Sequence, residues 1–594
     1  MVWLIGAGLL WLALKKDWLA WLLITMGTGV WGLVMIKNGV MYEYGLGFWG
    51  PHAHDAVWHL SLIEHLSQSW DTQLPIAAGE RLQNYHYGYD VFQALVHRVT
   101  RIPNLILYFQ ILPLTAGYLL GWLSYVMVRL LSGQLFDDET ETVRLARWLS
   151  LLMIYLGGSA GWLVSWYRGM GWGGESMFWA QQAISSLINP PFVWSVIGLL
   201  AGGWFWYRYR EGQRWYGVGI ILLWGLLVQV KVYGAVLVLF GWGMLLVWEL
   251  LRDVVVAGQR FDYQKWLMEV GVLLLTTLLG FVSIWPFSNF GEQTFIWQPG
   301  WFFESMLTSP DRFYSPRLWH IWLSETWWKS TVGFGMVFVL FIVGNLWIRV
   351  VGLGYMLMSM IKQWKSDEVW LTQWWMIVVL TSMVLPLLLI QNGTAWNTIQ
   401  FMYYGLFGLC LFTGLVLARM LVSRSIAWKW IVIGLVIGLQ LPTLLGTLQI
   451  YLHRQPSAIV TNGELEALHW LAEQPGERVL EPVFKTWTGG SEMMPLHGYV
   501  STGYVSMLSG KQVYLEDEVN LEIIGVDWES RRGEIDRLWR ELDGDTVAAW
   551  LDENQIDYVY LPADTDLPVS WHQWPVTMVY TNTEVSIFKV NSIR

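Results

Sequence analysis

The chain has 594 residues, of which 55% are hydrophobic and only 14% charged, with 44 tryptophans, 11 histidines and a net charge of −10. Such a balance lies outside the range of soluble domains and reads as a polytopic α-helical membrane protein. One cysteine, Cys410, excludes an intrachain disulfide and a thiolate metal cluster, and the acidic balance argues against nucleic acid as a partner.

A bilayer core takes roughly 20 apolar residues per helix. About 12 transmembrane helices are predicted: 1–14, a short run read as a retained span rather than a cleaved leader, then 18–36, 105–131, 148–167, 192–207, 216–230, 232–250, 266–285, 331–348, 370–390, 401–418 and 430–450. Basic residues gather at alternate ends of these runs: Lys15/Lys16, Arg144/Arg147, Arg208/Arg210/Arg214, Arg252/Arg260/Lys265, Arg349/Lys362/Lys365 and Arg419/Arg424/Lys429. By the positive-inside rule those ends face the cytoplasm. Residues 37–104, 168–191, 286–330, 391–400 and everything after 450 then lie outside.

The first outer loop, 37–104, is too long for a simple connector. Six of the 11 histidines fall within it: His52, His54, His59, His65, His86 and His97. Val57, Leu60, Ile63 and Leu66 recur at helical spacing after Pro51, so that Asp55 and His59, four apart, share a face. A second helix is predicted over 87–102. Both are expected to lie along the outer membrane surface. Three readings of the His/Asp cluster stand: an interfacial helix carrying polar residues, a proton-transfer site built on Asp55, and a zinc site of His52, His54 and His59, whose spacing is not a strong zinc pattern.

From Gln455 onward nine Lys/Arg face 23 Asp/Glu, a net of −14 that leaves +4 for the rest of the chain. Short helices at 464–473, 531–541 and 546–554 alternate with strands at 478–484, 513–515 and 557–561 and a hairpin over 576–580 and 585–590. The two domains are therefore 1–450, transmembrane and including the loop 37–104, and 451–594, a small C-terminal α/β soluble domain. The acidic "YLEDEV" within it reads as a solvated charge run.

"HDAVWHLSLIEHL", "YHYGYDVFQALVH", "NPPFVWS" at 189–195, "NGTAWNTIQFMYY" at 392–404 and "IDYVYLP" at 556–562 resemble a group of bacterial proteins of the GT-C superfamily of integral-membrane glycosyltransferases. The resemblance spans nearly the whole chain. It implies a GT-C-like fold with surface helices in the first outer loop, a polyprenyl-phosphate-linked sugar donor, and a glycan, lipid or protein acceptor handled outside the membrane among membrane lipids. The Asp-Glu or Asp-X-Asp pair of better-known branches is absent from this loop, which leaves a divalent cation, and any metal site, undefined.

Glycosyl transfer to a hydroxyl needs a base and a cation for the departing phosphate. The resemblance makes Asp55 the base, with His54 or His59 orienting it and Asp90 as second carboxylate. Lys231, which interrupts "LLVQVKVYGAVLVLFG", Arg312, Arg317 and Arg81 are candidates for the donor phosphate. His86, Tyr87, Trp396, Asn397 and Gln400 are candidate sugar contacts. Two other readings remain open: a lipid-linked oligosaccharide ligase or polymerase, and a transporter or metal-handling permease.

Overall fold

A computed structural model describes residues 2–14, 17–136, 140–253, 262–288, 295–363, 366, 368–488, 493–540, 543–568 and 570–591. Lys15, Lys16, Arg260 and Lys365, four of the basic residues used for sidedness, lie outside the described residues. The chain forms two compact units, one from 2–34, 112–286 and 295–452, the other from 35–111 and 453–591 with a short piece at 287–288.

The first unit is helical. Seven helices among the described residues are long and apolar enough to cross a membrane: Asn104–Leu135, Val232–Leu251, Tyr263–Phe287, Trp327–Lys362, Trp370–Leu388, Ala395–Leu421 and Ile426–Leu452. The pair Thr140–Leu156 and Gly161–Tyr167, bent by 44°, makes an eighth if it is one span, and Trp3–Ala13, Trp18–Gly32 and Tyr216–Val230 are apolar but shorter. The stretch Ala395–Leu421, with 94% of its apolar window buried, is packed by neighbours on every side. Its glycines permit this: a Cβ on Gly414 would stand 2.4 Å from the Ser150 backbone nitrogen, the close approach that small residues allow between membrane helices.

Some of the tryptophan excess also finds its reason here. Trp206, Trp224, Trp242 and Trp374 form a buried cluster. Two of its indoles donate to the buried Glu269 carboxylate, from Trp206 at 2.7 Å and Trp242 at 3.0 Å. Arg210 pairs with the same carboxylate and with Glu249, each at 2.7 Å. A charge in an apolar interior persists only when paired in this way.

Arg349 departs from the sequence reading. Assigned there to a cytoplasmic helix end, it is 1% exposed within the apolar stretch Trp327–Lys362. Its guanidinium donates to the carbonyls of Gly158 (2.8 Å), Asn345 (2.9 Å) and Leu346 (3.1 Å) and to the Gln182 side chain. Charge counting takes an arginine after an apolar run as an end marker, and cannot distinguish one whose donors are met mostly by backbone carbonyls.

The second unit joins the first loop to the C-terminal chain, whereas the sequence division at 450 grouped residues 37–104 with the spans. A three-stranded antiparallel sheet takes two strands from the loop, Val40–Tyr42 and Gly45–Phe48, and one from the tail, Ala458–Thr461. A five-stranded sheet runs in the order Gln512–Val513, Arg478–Leu480, Tyr558–Pro562, Val585–Val590, Val576–Thr581, parallel over its first three strands and antiparallel over the rest. The helix Asp55–Gln68 is buried nearly all round. Trp58 and Leu62 share one core with Leu74, Leu480, Leu521 and Val559. A helix covered on most sides is a core element rather than a one-sided interfacial one, which corrects the expectation of a helix lying on a membrane surface.

Candidate active site

Pro51 sits at the start of a single 3₁₀ turn, Gly50–Ala53, and His54 (φ −125°, ψ −65°) links that turn to the helix Asp55–Gln68. The chain thereby places Asp55 in the first turn, where free N–H groups favour a carboxylate. His54 Nδ1 lies 3.0 Å from Asp55 Oδ1, and its Nε2 lies 3.2 Å from Asp517 Oδ1. An imidazole facing a carboxylate through each nitrogen donates through both, so it carries a charge. Burial opposes that charge but is outweighed by Asp517 and Asp55, and the His54 pKa rises to about 10.

Asp517 is fully buried and left-handed (φ 50°), and caps the helix Glu518–Ile524. It accepts from the Asn520 N–H at 3.2 Å and the Asn520 amide at 2.8 Å. That fixed carboxylate holds the imidazolium, and the imidazolium holds Asp55. Asp55 lies in a recess where crowding by protein would lift its pKa, yet the His54 hydrogen bond and the charges of His54, His59 and His52 keep it below the ordinary carboxylate value. Its side chain is 60% exposed. Asp55 is thus an ionised carboxylate anchored by Oδ1.

A second pair lies deeper. His59 Nδ1 is 2.8 Å from Asp90 Oδ1, with the histidine side chain 8% exposed and the aspartate 0%. The rings of Tyr85, Tyr89 and Tyr108 each stand 6.3 Å from the imidazole.

The other loop histidines disperse. His52 packs edge-on against Phe109 at 5.4 Å, His65 meets Asp71 at 2.6 Å, and His97 meets the Ile102 carbonyl at 2.7 Å. His86 stacks on Tyr85 at 4.7 Å, and Tyr87 precedes the helix Gly88–Thr100 with its ring on Phe287 at 4.8 Å. His52, His54 and His59 therefore turn to three different partners, which removes the zinc reading of that trio. Among the described residues no group of three or more His, Cys, Asp or Glu is arranged to hold a metal ion.

The remaining candidates divide between the units. Arg81 is exposed on the second. In the first, Lys231 has extended backbone (φ −162°, ψ 113°) at the break between Leu227–Val230 and Val232–Leu251. Its side chain is 6% exposed, with Nζ 5.6 Å from the Tyr233 ring centre. Arg312 donates to the Ser176 carbonyl and hydroxyl at 3.1 Å and lies 4.0 Å over Trp179, which makes it a loop clasp. Arg317 is exposed in the first turn of Pro316–Trp322. Trp396 is 52% exposed, while Gln400 contacts Asn397 and Asn189, each at 3.4 Å.

Sequence reasoning missed Asp517 and its neighbours. Glu516, 1% exposed, accepts from the Val505 and Ser506 N–H groups at 2.8 and 3.2 Å, and Arg532 forks onto both oxygens of Glu518 at 2.8 Å. The available signal was "YLEDEV" itself, three acids set between apolar residues that a strand end would bury.

No family model matches the chain, and no curated protein matches it significantly. Among solved structures it is similar to the apo oligosaccharyltransferase of Archaeoglobus fulgidus, at 11% identity and TM-score 0.44 over 92% of this chain and 70% of that one. The same oligosaccharyltransferase in complex with Zn and sulfate gives 13% identity and TM-score 0.45, over 96% and 73%. ArnT from Cupriavidus metallidurans bound to undecaprenyl phosphate gives 11% and 0.43, over 96% and 97%. These are distant likenesses, and the functional reading below rests on the side chains just described.

Proposed function

We propose that this protein is a membrane glycosyltransferase that moves a sugar from a polyprenyl-phosphate-linked donor to an acceptor hydroxyl on the extracytoplasmic side, with Asp55 as base. The observation that supports it is the chain Asp55–His54–Asp517: an exposed, ionised carboxylate whose orientation is set by an imidazolium, itself set by a buried carboxylate. Asp55 accepts a hydrogen bond from the acceptor hydroxyl and takes its proton as the hydroxyl oxygen bonds to the anomeric carbon. The bond from that carbon to the phosphate oxygen breaks, and polyprenyl phosphate departs. A carboxylate with a lowered pKa is a weak base in the ground state. It serves where the hydroxyl becomes acidic, once its oxygen has begun to bond to an electron-poor carbon. His59 and Asp90 support the wall of this recess, and His86 and Tyr87 are the proposed sugar contacts beside them in sequence.

In the helical unit, Lys231 is the proposed cation for the donor phosphate and Trp396, Asn397 and Gln400 the proposed sugar contacts. Arg312, held by Ser176 and Trp179, is an alternative candidate for the same phosphate. Arg81 and Arg317 remain exposed alternatives.

The test is a mass-spectrometric comparison of cell-envelope glycans in cells lacking the gene and in cells complemented with the parent or Asp55→Asn protein. The expected result is a sugar that the parent restores and the variant does not. Restoration by Asp55→Asn would remove Asp55 as base, and unchanged glycans in the deletion strain would remove the enzymatic reading. For sidedness, cysteine at Ser530 in a Cys410-free background should react with an impermeant thiol reagent applied from outside, and cysteine at Thr140 should not.

A further inference from the structure

The second unit contains a cavity of about 540 Å³, within the roughly 300–1,000 Å³ range of small-ligand pockets. Its lining includes Trp487, His497, Thr502, Asp536 and Trp539. The indole of Trp487 meets His497 edge to face, at 6.1 Å and 84°, and Trp539 meets Trp574 likewise, at 5.3 Å and 79°. Such pairings fix the indoles through edge-on contacts rather than stacking. Gly498 makes the first placement possible: a Cβ there would fall 2.6 Å from Trp487 Cβ, and the Trp487 N–H donates to the Gly498 carbonyl at 2.9 Å.

Polar groups accompany the indoles. Thr502 is 4% exposed and its hydroxyl has no hydrogen-bond partner among the described residues, although it lines the cavity. Among the described residues Asp536 has one charged contact, a long one of 3.9 Å to Arg540. His497 is bridged between Glu464 at 2.7 Å and Asp564 at 3.5 Å. Lys485 and Arg540, which line the cavity, are 69% and 75% exposed, so among the described residues no buried lysine or arginine of the lining awaits an anion. Burial, reinforced by Glu516 and Glu518, raises the Glu481 pKa.

Indole rings beside hydroxyl and carboxylate acceptors suit one chemistry: pyranose rings whose apolar C–H faces lie on indole and whose hydroxyls donate to oxygen. We propose that this cavity binds neutral sugar residues, and that these belong to the acceptor glycan, a role that rests on the glycosyl-transfer reading above. The link to Asp55 runs through 499–502. The Tyr499 hydroxyl has its pKa raised by burial and by the Asp55 charge, Ser501 accepts from the N–H of Glu518 at 3.1 Å beside Asp517, and Val500 to Thr502 line the cavity. An acceptor chain seated here extends along that segment toward the Asp55 carboxylate.

The experiment uses the full chain in detergent and saturation-transfer NMR with maltotetraose, cellotetraose, mannotetraose and chitotetraose, against tetragalacturonate and an uncharged tetrapeptide. At least one neutral tetrasaccharide should bind. Trp487→Ala should weaken it about tenfold, the scale of one aromatic contact, and Asp536→Asn about threefold or more. Binding of none of the neutral sugars, preference for the uronate or peptide, or parent-like affinity in Asp536→Asn overturns the proposal. The last criterion also decides the matter should Trp487→Ala fail to fold. Sugar binding that is intact in an enzyme whose turnover survives Asp55→Asn would instead defeat the choice of base and leave the cavity assignment standing.

Discussion

Two imidazole–carboxylate pairs lie in the same unit, one at the start of the helix Asp55–Gln68 and one joining that helix to Gly88–Thr100, and differ in what surrounds them. His54 joins Asp55, 60% exposed, to the buried Asp517, whereas His59 and Asp90 close on each other with 8% and 0% exposure. The chemical groups are alike. Burial suits one pair to a strut, while exposure of a single carboxylate suits the other to the role proposed for it. Composition cannot tell them apart, since both histidines come from "HDAVWHL".

Loss of function at the exposed pair is the largest expected effect. Asp55→Asn keeps size and polarity but removes the base, and should lower turnover on the order of 10³-fold, within the range of general-base catalysis; Asp55→Glu should recover part of it. A parent-like rate in purified Asp55→Asn would erase the distinction between the pairs. The buried pair should respond in stability instead. His59→Leu removes one member of a buried imidazole–carboxylate pair, a change on the scale of about 3–5 kcal/mol when a buried pair is broken. Denaturant unfolding should show that loss, and a variant of parent stability would mean the pair is no strut.

How far the sequence reveals this follows from the same contrast. The strands at 478–480, 558–562, 576–581 and 585–590 were legible because alternation and turn residues are local signals. The placement of Asp55 at a helix start beside His54 was legible because it is local too. What was not legible is long-range: Gly45–Phe48 pairs with Ala458–Thr461, and Asp517 reaches His54 across 463 residues. A buried acid that finds its partner so far away reads, from its neighbours alone, as a solvated run. Arg349 fails for the same reason, since its acceptors are mostly backbone carbonyls that no side-chain pattern announces.

A smaller effect sharpens the role of His54. His54→Gln preserves hydrogen bonding but deletes the charge, and should lower turnover about 10–100-fold, the scale of a charge-assisted hydrogen bond of roughly 1.5–3 kcal/mol. The more telling readout is the pH profile. Crowding by protein pushes the Asp55 pKa up, and the His54 hydrogen bond and charge do most to hold it down. Without that charge the acid limb of the rate profile should move to higher pH. A reduced rate with an unmoved limb would make His54 a packing residue.

The smallest effect is on stability at alkaline pH. Burial would lower the His54 pKa, but Asp517 and Asp55 raise it from the ordinary 6.5 to about 10. Because the folded value exceeds the unfolded one, the imidazolium stabilises the fold fully below pH 6.5, and that contribution is lost as pH rises toward 10. Glu516, whose pKa burial also raises, works in the same direction, so alkaline lability by itself does not isolate His54. Asp517→Asn does. It keeps an oxygen to accept from the Asn520 N–H while removing the charge that most favours the imidazolium. The parent should lose thermal stability between pH 7 and 10, and the asparagine variant, weaker at pH 7, should lose a few degrees less over the same interval. Parallel curves would mean that His54 is neutral at pH 7 and that Asp517 orients it by hydrogen bonding alone. In that case the charge-based shift predicted for the rate profile of His54→Gln should vanish as well.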